Sequence, residues 1–177
     1  MMKKNVLLYV YPDFKEFEVT VTLSVLSKRF DLHTFSSGTG LVKSACGLMI
    51  QPTIKIKNIR SWEYELLILH GGFPMGSLSP YFVKLLQDFN SEQIRMTAIG
   101  EGVSLLNRAG LLEGRTYTTS ASSAPYPNGL FVNKSVVEDK NLFTAKANAF
   151  LDLGLLIGKR MHCIENVEEY NFYKGIR

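Results

Sequence analysis

Residues 66–72 read Leu-Leu-Ile-Leu-His-Gly-Gly, and residues 96–102 read Met-Thr-Ala-Ile-Gly-Glu-Gly. Each segment is a short apolar run that ends in a turn with two glycines. Apolar runs of roughly four to eight residues are typical of strands buried on both faces of a parallel sheet. Glycine adopts the backbone conformations that tight turns require. The two segments therefore predict two buried strands, each followed by a tight turn.

Strands and helices are predicted to alternate on both sides of these segments. Apolar runs predict further strands, and apolar residues at helical spacing predict the helices between them. This alternation argues for a mainly parallel sheet of roughly five to seven strands, covered by helices on both faces. The other extended segments are predicted near 6–11, 32–35, 47–51, 116–119, 136–137 and 142–144, and the helices near 14–29, 80–90, 103–109 and 147–159, with a short one in 164–177.

The length and composition of the chain are those of a globular domain. The chain has 177 residues, of which 46% are hydrophobic and 20% are charged. A domain of this size buries roughly 70% of the surface that its unfolded chain exposes, so it requires no metal or disulfide for stability. We expect one domain over residues 1–177, with a core at about 5–160 and a polar, aromatic tail at 161–177.

The charge and cysteine patterns argue against several classes of protein. The net charge is only +4 and the basic residues are scattered, so nucleic-acid binding is not expected. No apolar run approaches the ~18 residues of a membrane span, and the apolar stretch after Lys4 predicts a buried strand rather than a signal peptide. Cys46 and Cys163 match neither a zinc pattern nor a redox pair. We expect a cytoplasmic protein with reduced thiols.

Three predicted strand ends carry acidic residues or paired glycines. The first strand runs into Glu16 and Glu18, and the two glycine turns lie at 70–72 and 100–102. In open α/β sheets, ligands bind beyond the carboxyl ends of the strands. A strand, a small-x-small turn and a helix form the backbone of a nucleophile elbow, where N–H groups favour a thiolate or an oxyanion. Taken alone, each glycine pair is also compatible with a plain tight turn.

Taken in order, these segments resemble the ThiJ/PfpI superfamily. The superfamily opens with an apolar strand and a Glu early in the next helix, which Glu18 matches. Its Pro-Gly-Gly turn corresponds to residues 70–72, and its Ala-Ile-Cys-x-Gly segment corresponds to residues 98–102. Its Gly-Leu-Leu-x-Gly-Arg-x-x-Thr segment matches residues 110–118, and its acidic turn with a Thr-containing strand matches residues 139–144.

The resemblance covers about residues 6–158 and implies a fold and a range of activities. The superfamily includes the human parkinsonism-associated deglycase and bacterial intracellular protease-like proteins. Its members share a class I glutamine amidotransferase-like fold, an α/β flavodoxin-like three-layer sandwich, and are commonly homodimers. In active members the elbow cysteine is the nucleophile, the Glu hydrogen-bonds it, and backbone N–H groups form the oxyanion site. Many members add a His beside the cysteine or after the Thr-containing strand.

Carried over residue by residue, the resemblance implies a site that lacks its nucleophile. Glu18 is the expected carboxylate, and the ligand pocket is expected to include the Gly71-Gly72 turn, with Gly72 and Glu101 as oxyanion donors. The nucleophile position is Gly100, which has no side chain, so attack by a thiol cannot be carried over. The two histidine positions are filled by Glu101 and, approximately, by Ser120, and both residues are expected to contribute to ligand binding.

Two residues are possible replacements for the missing nucleophile. Glu101 is adjacent, although the residue after the elbow usually directs its side chain away from the pocket. His70 replaces the usual proline, and it either pairs with Glu18 for general acid–base work or only forms local hydrogen bonds. Glu18, His70 and Glu101 lack the spacing of a metal site, so we expect neither a metal nor a cofactor.

The preferred interpretation is a family member without the usual nucleophile that binds a small polar metabolite, as a binding or regulatory module. One alternative is a divergent enzyme with glyoxalase-like, deglycase-like, amidase or protease-like activity that uses Glu18, with or without His70. Another alternative is a structural or interaction protein that acts through a dimer face. In each case we expect a homodimer, with no nucleic-acid or membrane partner.

Overall fold

The computed structural model describes residues 4–72 and 78–176. Strands and α-helices alternate along this part of the chain, with short 3-10 turns between some of them. The strands are β1 (Lys4–Tyr9), β2 (Phe30–Phe35), β3 (Val42–Lys43), β4 (Met49–Ile50), β5 (Tyr64–Leu69), β6 (Arg95–Ile99), β7 (Thr116–Tyr117), β8 (Leu130–Phe131), β9 (Val136–Asp139) and β10 (Leu142–Ala145), and the helices are α1 (Phe17–Leu26), α2 (Pro80–Ser91), α3 (Val103–Arg108), α4 (Phe150–Arg160) and α5 (Val167–Lys174).

The main sheet has six strands in the order β2-β1-β5-β6-β10-β9. The first five strands of this order are parallel to one another, whereas β9 pairs antiparallel with β10. The antiparallel pair at the edge is the small strand pair predicted around Asp139. The expectation of a flavodoxin-like α/β fold, with a mainly parallel sheet flanked by helices, is confirmed.

The central strands β1 and β5 are buried because their side chains are apolar on both faces of the sheet. Leu7 of β1 and Leu66 and Leu67 of β5 are all fully buried. A strand that is covered on both sides reads as a continuous apolar run, whereas a half-exposed strand alternates. This is why the sequence alone identifies these two strands.

Helix α2 shows how local sequence sets the ends of an element. Ser79 precedes it, and the Ser79 hydroxyl accepts the backbone N–H of Phe82 at 3.2 Å. Pro80 occupies the first turn, where its missing N–H costs no hydrogen bond. Phe82, Leu86 and Phe89 recur at helical spacing and are fully buried. The cap, the proline and the apolar face together explain the observed start and orientation of α2.

Helices α1 and α4 approach each other closely because α4 presents glycines to α1. A Cβ atom on Gly154 would lie 2.9 Å from Val21 Cγ1 and 3.0 Å from the backbone nitrogen of Thr22. A Cβ atom on Gly158 would lie 2.5 Å from Val25 Cγ1. Neither position has room for a side chain without movement of α1. This contact helps to hold in place the helix that carries Glu18.

Several predicted boundaries differ from the structure. The helix predicted over 14–29 extends only from Phe17 to Leu26, because the preceding residues form hydrogen-bonded turns after β1. The strand predicted near 47–51 contributes only the two residues of β4, which pair with β3 in a hairpin. The extended segment predicted over 116–119 is the short β7, and its partner β8 has no clear sequence signal.

The described residues also bear on membrane and metal binding. No helix in 4–72 or 78–176 is long and apolar enough to cross a membrane. Over the same ranges, no group of three His, Cys, Asp or Glu residues is arranged to hold a metal ion. Cys46 is exposed and Cys163 is buried, and both are free thiols.

Candidate functional site

The residues selected from the sequence lie at the carboxyl ends of three neighbouring parallel strands. β5 lies between β1 and β6 in the sheet. β1 leads through turns to α1 and Glu18, β5 leads into residues 70–72, and β6 leads into the 3-10 turn at Gly100–Gly102. The chain passes from β1 to β2 on one side, and β5 lies on the other side of β1. Such a switch point is where open α/β sheets bind ligands.

Glu18 and Gly71 form the tightest contact of this site. Glu18 lies in the first turn of α1 and is only 4% exposed. The backbone N–H of Gly71 donates a hydrogen bond to Glu18 Oε2 at 2.5 Å. A Cβ atom on Gly71 would lie 2.5 Å from both carboxylate oxygens. Glycine is required at position 71 because the Glu18 carboxylate occupies the space of a side chain.

Gly100 keeps the backbone shape of an elbow although it has no side chain. Its φ is +55°, in the left-handed region that favours glycine. A Cβ atom there would lie 3.1 Å from Glu18 Oε1 and 3.3 Å from the Cβ of Ala147. The Thr119 hydroxyl donates to the carbonyl of Gly100 at 2.7 Å. Any side chain at position 100 would therefore begin beside the Glu18 carboxylate.

The protonation of Glu18 is shifted by its surroundings. Burial raises the pKa of the Glu18 carboxyl to about 7, although the hydrogen bond from Gly71 and the charge of Lys15 oppose this rise. The negative charge of Glu101 adds to it. Near neutral pH, Glu18 is thus a mixture of acid and carboxylate. In this state it can donate a proton to a bound molecule or accept one.

Glu101 and Ser120 lie at the more exposed side of the site. Glu101 is partly exposed, and its Oε1 accepts the backbone N–H of Ser122 at 3.2 Å. Ser120 is exposed, and its hydroxyl accepts the backbone N–H of Ala147 at 3.0 Å. Ala147 is the residue whose Cβ faces position 100, so Ser120 helps to position one wall of the site.

His70 is completely buried, and its ring lies among aromatic side chains. The ring centroid is 4.9 Å from that of Tyr11 and 4.8 Å from that of Phe14. Nδ1 donates to the carbonyl of Gly71 at 2.9 Å, whereas Nε2 has no hydrogen-bond partner among the described residues. Within the described residues, no hydrogen bond joins His70 to Glu18. The side chain therefore forms a local hydrogen bond, which is one of the two roles expected for it.

The charge state of His70 follows from this burial. Burial lowers the pKa of the imidazole to about 4, although the hydrogen bond to the Gly71 carbonyl and the negative charge of Glu16 oppose this lowering. His70 is therefore neutral at pH 7. An imidazole with this pKa holds no proton to donate as an imidazolium near neutrality.

The Glu16 carboxylate accepts hydrogen bonds from three donors that local sequence patterns do not reveal. The Ser44 hydroxyl donates to Glu16 Oε1 at 2.5 Å and the backbone N–H of Cys46 donates at 3.0 Å, while the Cys46 thiol also donates to this oxygen. Burial alone would raise the pKa of Glu16, but the hydrogen bonds from Cys46 and Ser44 lower it to about 2. The group ties the β3–β4 hairpin to the start of α1. No signal within a local window joins residues so far apart.

A cavity of about 610 Å³ lies beside the Gly72 turn. Tyr11 and Asp13 line it, and a Cβ atom on Gly72 would lie 3.0 Å from atoms of both residues. The φ of Gly72 is +136°, which also favours glycine. Neither Glu18 nor Gly100 lines this cavity. Its size suits a small metabolite.

The family model of the DJ-1/PfpI family matches residues 4–159. The chain belongs to the DJ-1/PfpI family. The matched range contains Glu18, the Gly71-Gly72 turn and Gly100. The resemblance drawn from the sequence is thereby confirmed, and the glycine at the elbow is a feature of a true family member.

Solved structures agree with the fold of this DJ-1/PfpI family member. A DJ-1 superfamily protein from Salmonella typhimurium, crystallised as a cysteine-to-alanine mutant, is 24% identical with a TM-score of 0.83, and the match covers 98% of this chain and 99% of that one. DJ-1beta from Drosophila melanogaster is 23% identical with a TM-score of 0.82, covering 99% and 100%. A putative protease I from Bacteroides thetaiotaomicron is 16% identical with a TM-score of 0.76, covering 89% and 98%.

These structural likenesses establish only the fold of the DJ-1/PfpI chain, because each of the three proteins has less than 25% sequence identity to it. No curated protein matches the sequence. The chemistry of this family member must therefore be argued from its own residues.

Proposed function

We propose that this DJ-1/PfpI family member binds a small polar metabolite at the Glu18–Gly71–Gly100 site without using a cysteine nucleophile. The site would serve as a binding or regulatory module in a cytoplasmic homodimer. The observation that carries the proposal is the position of Gly100. A Cβ atom there would lie 3.1 Å from Glu18 Oε1, so the elbow remains aligned with the carboxylate although no thiol is present.

The chemistry of the site favours a ligand with oxygen acceptors. Burial raises the pKa of Glu18 to about 7, so near neutral pH its carboxyl group can donate a proton to such an acceptor. Backbone N–H groups at the start of a helical turn have no partner within the helix, so the turn at Gly100–Gly102 offers a further donor.

A thermal-shift experiment with a panel of small carboxylic, hydroxy and keto acids tests this proposal. A ligand at 100 times its dissociation constant stabilises the protein by about 2.7 kcal/mol, which is readily detected. We expect at least one compound to raise the melting temperature of the wild type and to lose this effect in Glu18→Gln. The Glu138→Gln variant, which changes an exposed carboxylate on β9, should respond as the wild type does.

The proposal fails if Glu18→Gln and Glu138→Gln respond alike to every compound that stabilises the wild type. A panel without any stabilising compound would shift support to the alternative of an interaction protein that acts through a dimer face. That alternative predicts that surface substitutions change function while substitutions at Glu18 are silent.

A second candidate function, a divergent enzyme, is favoured by the raised pKa of Glu18. A carboxyl group with a pKa of about 7 is suited to general acid–base catalysis at neutral pH. The glyoxalase-like activity implied by the family resemblance needs proton transfers that such a group can perform. Measured methylglyoxal consumption that disappears in Glu18→Gln and persists in Glu138→Gln would support this candidate over a binding module. Equal background rates in all three proteins would exclude it for this substrate.

A further inference from the structure

A second cavity, of about 640 Å³, lies between residues 36–40 and residues 51–57. Neither Glu18 nor Gly100 lines it, and Tyr81 of α2 closes one side. Residues 36–40 follow β2, the edge strand of the sheet, and so leave its carboxyl end. The volume lies within the range of small-molecule sites, roughly 300–1,000 Å³.

The walls of this second cavity are fixed by hydrogen bonds to the strand. The backbone N–H of Thr53 donates to the carbonyl of Thr34 at 2.9 Å, and the N–H of Ile54 donates to the same carbonyl at 3.1 Å. The N–H of Thr34 donates in return to the Thr53 hydroxyl at 2.8 Å. On the other wall, the hydroxyls of Ser37 and Tyr9 are 3.0 Å apart in a hydrogen bond. The cavity is thus formed by anchored segments before any ligand binds.

The charged side chains that line the second cavity are both lysines. Lys55 and Lys57 line it, and both are exposed. Neither lysine forms an ion pair with a residue that the structure describes, and no aspartate or glutamate lines the cavity. Tyr81 lies in the first turn of the twelve-residue helix α2, whose N-terminus adds positive potential. These groups favour an anion.

The remaining lining combines hydroxyl groups with apolar surface. Ser36, Ser37 and Thr39 are among the lining residues of the 36–40 loop, and hydroxyls of this kind donate to phosphate oxygens. Ile54 and Ile56 supply apolar contacts, and Tyr81 lines the cavity as a largely exposed residue, with a relative accessibility of 75%. An exposed aromatic ring offers a stacking face for another flat ring.

We propose that this second cavity binds a small organic phosphate that carries a flat ring, the chemical class of a nucleoside monophosphate. The phosphate would lie near Lys55, Lys57 and the hydroxyls of residues 36–39, and the ring would lie against Tyr81 and the isoleucines. The site is separate from the one at Glu18 and does not depend on the function proposed for that site.

A titration with phenyl phosphate, followed by the backbone amide signals in nuclear magnetic resonance, tests this second site. We expect the signals of residues 52–57 and of Tyr81 to move in a saturable manner. The double variant Lys55→Gln/Lys57→Gln should weaken binding about five-fold at low ionic strength, since each exposed charge pair contributes modestly. The matched control Lys134→Gln/Lys140→Gln removes the same charge beside β9, at the opposite edge of the sheet, and should leave the dissociation constant unchanged.

The ring and the phosphate are tested separately. Tyr81→Ala should weaken phenyl phosphate but not inorganic phosphate, because only the first probe carries a ring. The proposal is overturned if phenyl phosphate moves no signals of residues 52–57 at millimolar concentration, or if the two double variants weaken binding equally. Loss of phenyl phosphate binding in Glu18→Gln would also overturn it, because the ligand would then belong to the other site.

Discussion

The glycine at position 100 removes the nucleophile's side chain and also relieves the backbone strain of the turn. A φ of +55° costs a residue with a Cβ about 1–2 kcal/mol, whereas glycine adopts it freely. A family member with a cysteine at this turn would have to hold that strain. Here the turn survives without a side chain, because Thr119 binds the carbonyl of Gly100 and Gly71 binds Glu18 next to it. The elbow shape is therefore set by its neighbours rather than by the residue at its tip.

Substitution of Gly100 by alanine should show how much of its cost comes from crowding by Glu18. We expect Gly100→Ala to lower the free energy of unfolding by about 2–4 kcal/mol, because backbone strain adds to tight contacts with Glu18 and Ala147. Gly114 has a φ of +65° but nothing within 4 Å of a Cβ atom. Gly114→Ala should therefore cost only about 1–2 kcal/mol. Urea denaturation of both variants measures the difference, and equal losses would mean that Glu18 yields freely to a side chain.

Among the elements, the β9–β10 pair is joined to the segment before β7 by one partly buried ion pair. Arg115 Nε donates to Asp139 Oδ1 at 3.0 Å, and the backbone N–H of Thr116 donates to Asp139 Oδ2 at 2.7 Å. Arg115 also donates to Asn141 Oδ1 at 3.2 Å. Burial alone would raise the pKa of Asp139, but these bonds and the charge of Arg115 lower it. The neighbouring Glu138 makes a more exposed pair with Arg160.

The two adjacent carboxylates of β9 should therefore differ in their effect on stability. We expect Asp139→Asn to lower the free energy of unfolding by about 1–2 kcal/mol at pH 7, because it weakens a hydrogen-bonded charge pair. Glu138→Gln should change it little, because exposed pairs are screened by solvent. The stabilisation from Asp139 is present above its unfolded pKa and is lost as the pH falls through its lower folded pKa. Denaturation of both variants at pH 7 and about pH 3 tests this, and a loss in Asp139→Asn that persists at low pH would contradict it.

Elements with a strong local pattern could be predicted from the sequence. β1 and β5 contain continuous apolar runs, and α2 combines a cap, a proline and a spaced apolar face. The strand β7 lies within the extended segment predicted over 116–119, but its partner β8 could not be predicted, because a strand of two residues carries no periodic signal. The predicted start of α1 at residue 14 was wrong, since hydrogen bonds to distant residues hold part of the segment 10–16 and α1 begins only at Phe17.

The candidate site was predictable where a residue type is itself informative. Paired glycines after buried strands marked Gly71 and Gly100, and the ordered resemblance marked Glu18. The donors around Glu16 were not predictable, because they come from a hairpin almost thirty residues away. The complete burial of His70 depends on the rings of Tyr11 and Phe14, which only the folded chain brings to it.

At the scale of the whole molecule, two buried groups have opposite effects on the pH dependence of stability. Glu18 has a raised pKa of about 7, so between about pH 5 and 6.5 the folded state holds a proton that the unfolded state has released, and stability falls as the pH rises. His70 has a lowered pKa of about 4, so over the same range only the unfolded state holds the proton, and stability rises. Each effect is at most about 1.4 kcal/mol per pH unit.

The wild-type protein should consequently show almost constant stability between about pH 5 and 6.5, while each single variant should not. Glu18→Gln removes the falling contribution, so its stability should rise with pH. His70→Asn keeps a donor for the carbonyl of Gly71 but no longer titrates, so its stability should fall with pH. The lowered pKa values of Glu16 and Asp139 leave both carboxylates ionised throughout this range, so they add little to the slope of stability against pH.

Urea midpoints at three pH values for the wild type, both single variants and the double variant provide the test. The slope is read independently of any uniform loss of stability in a variant. A Glu18→Gln slope equal to that of the wild type would show that Glu18 titrates normally, and the proton that the proposed site needs at neutral pH would then be missing.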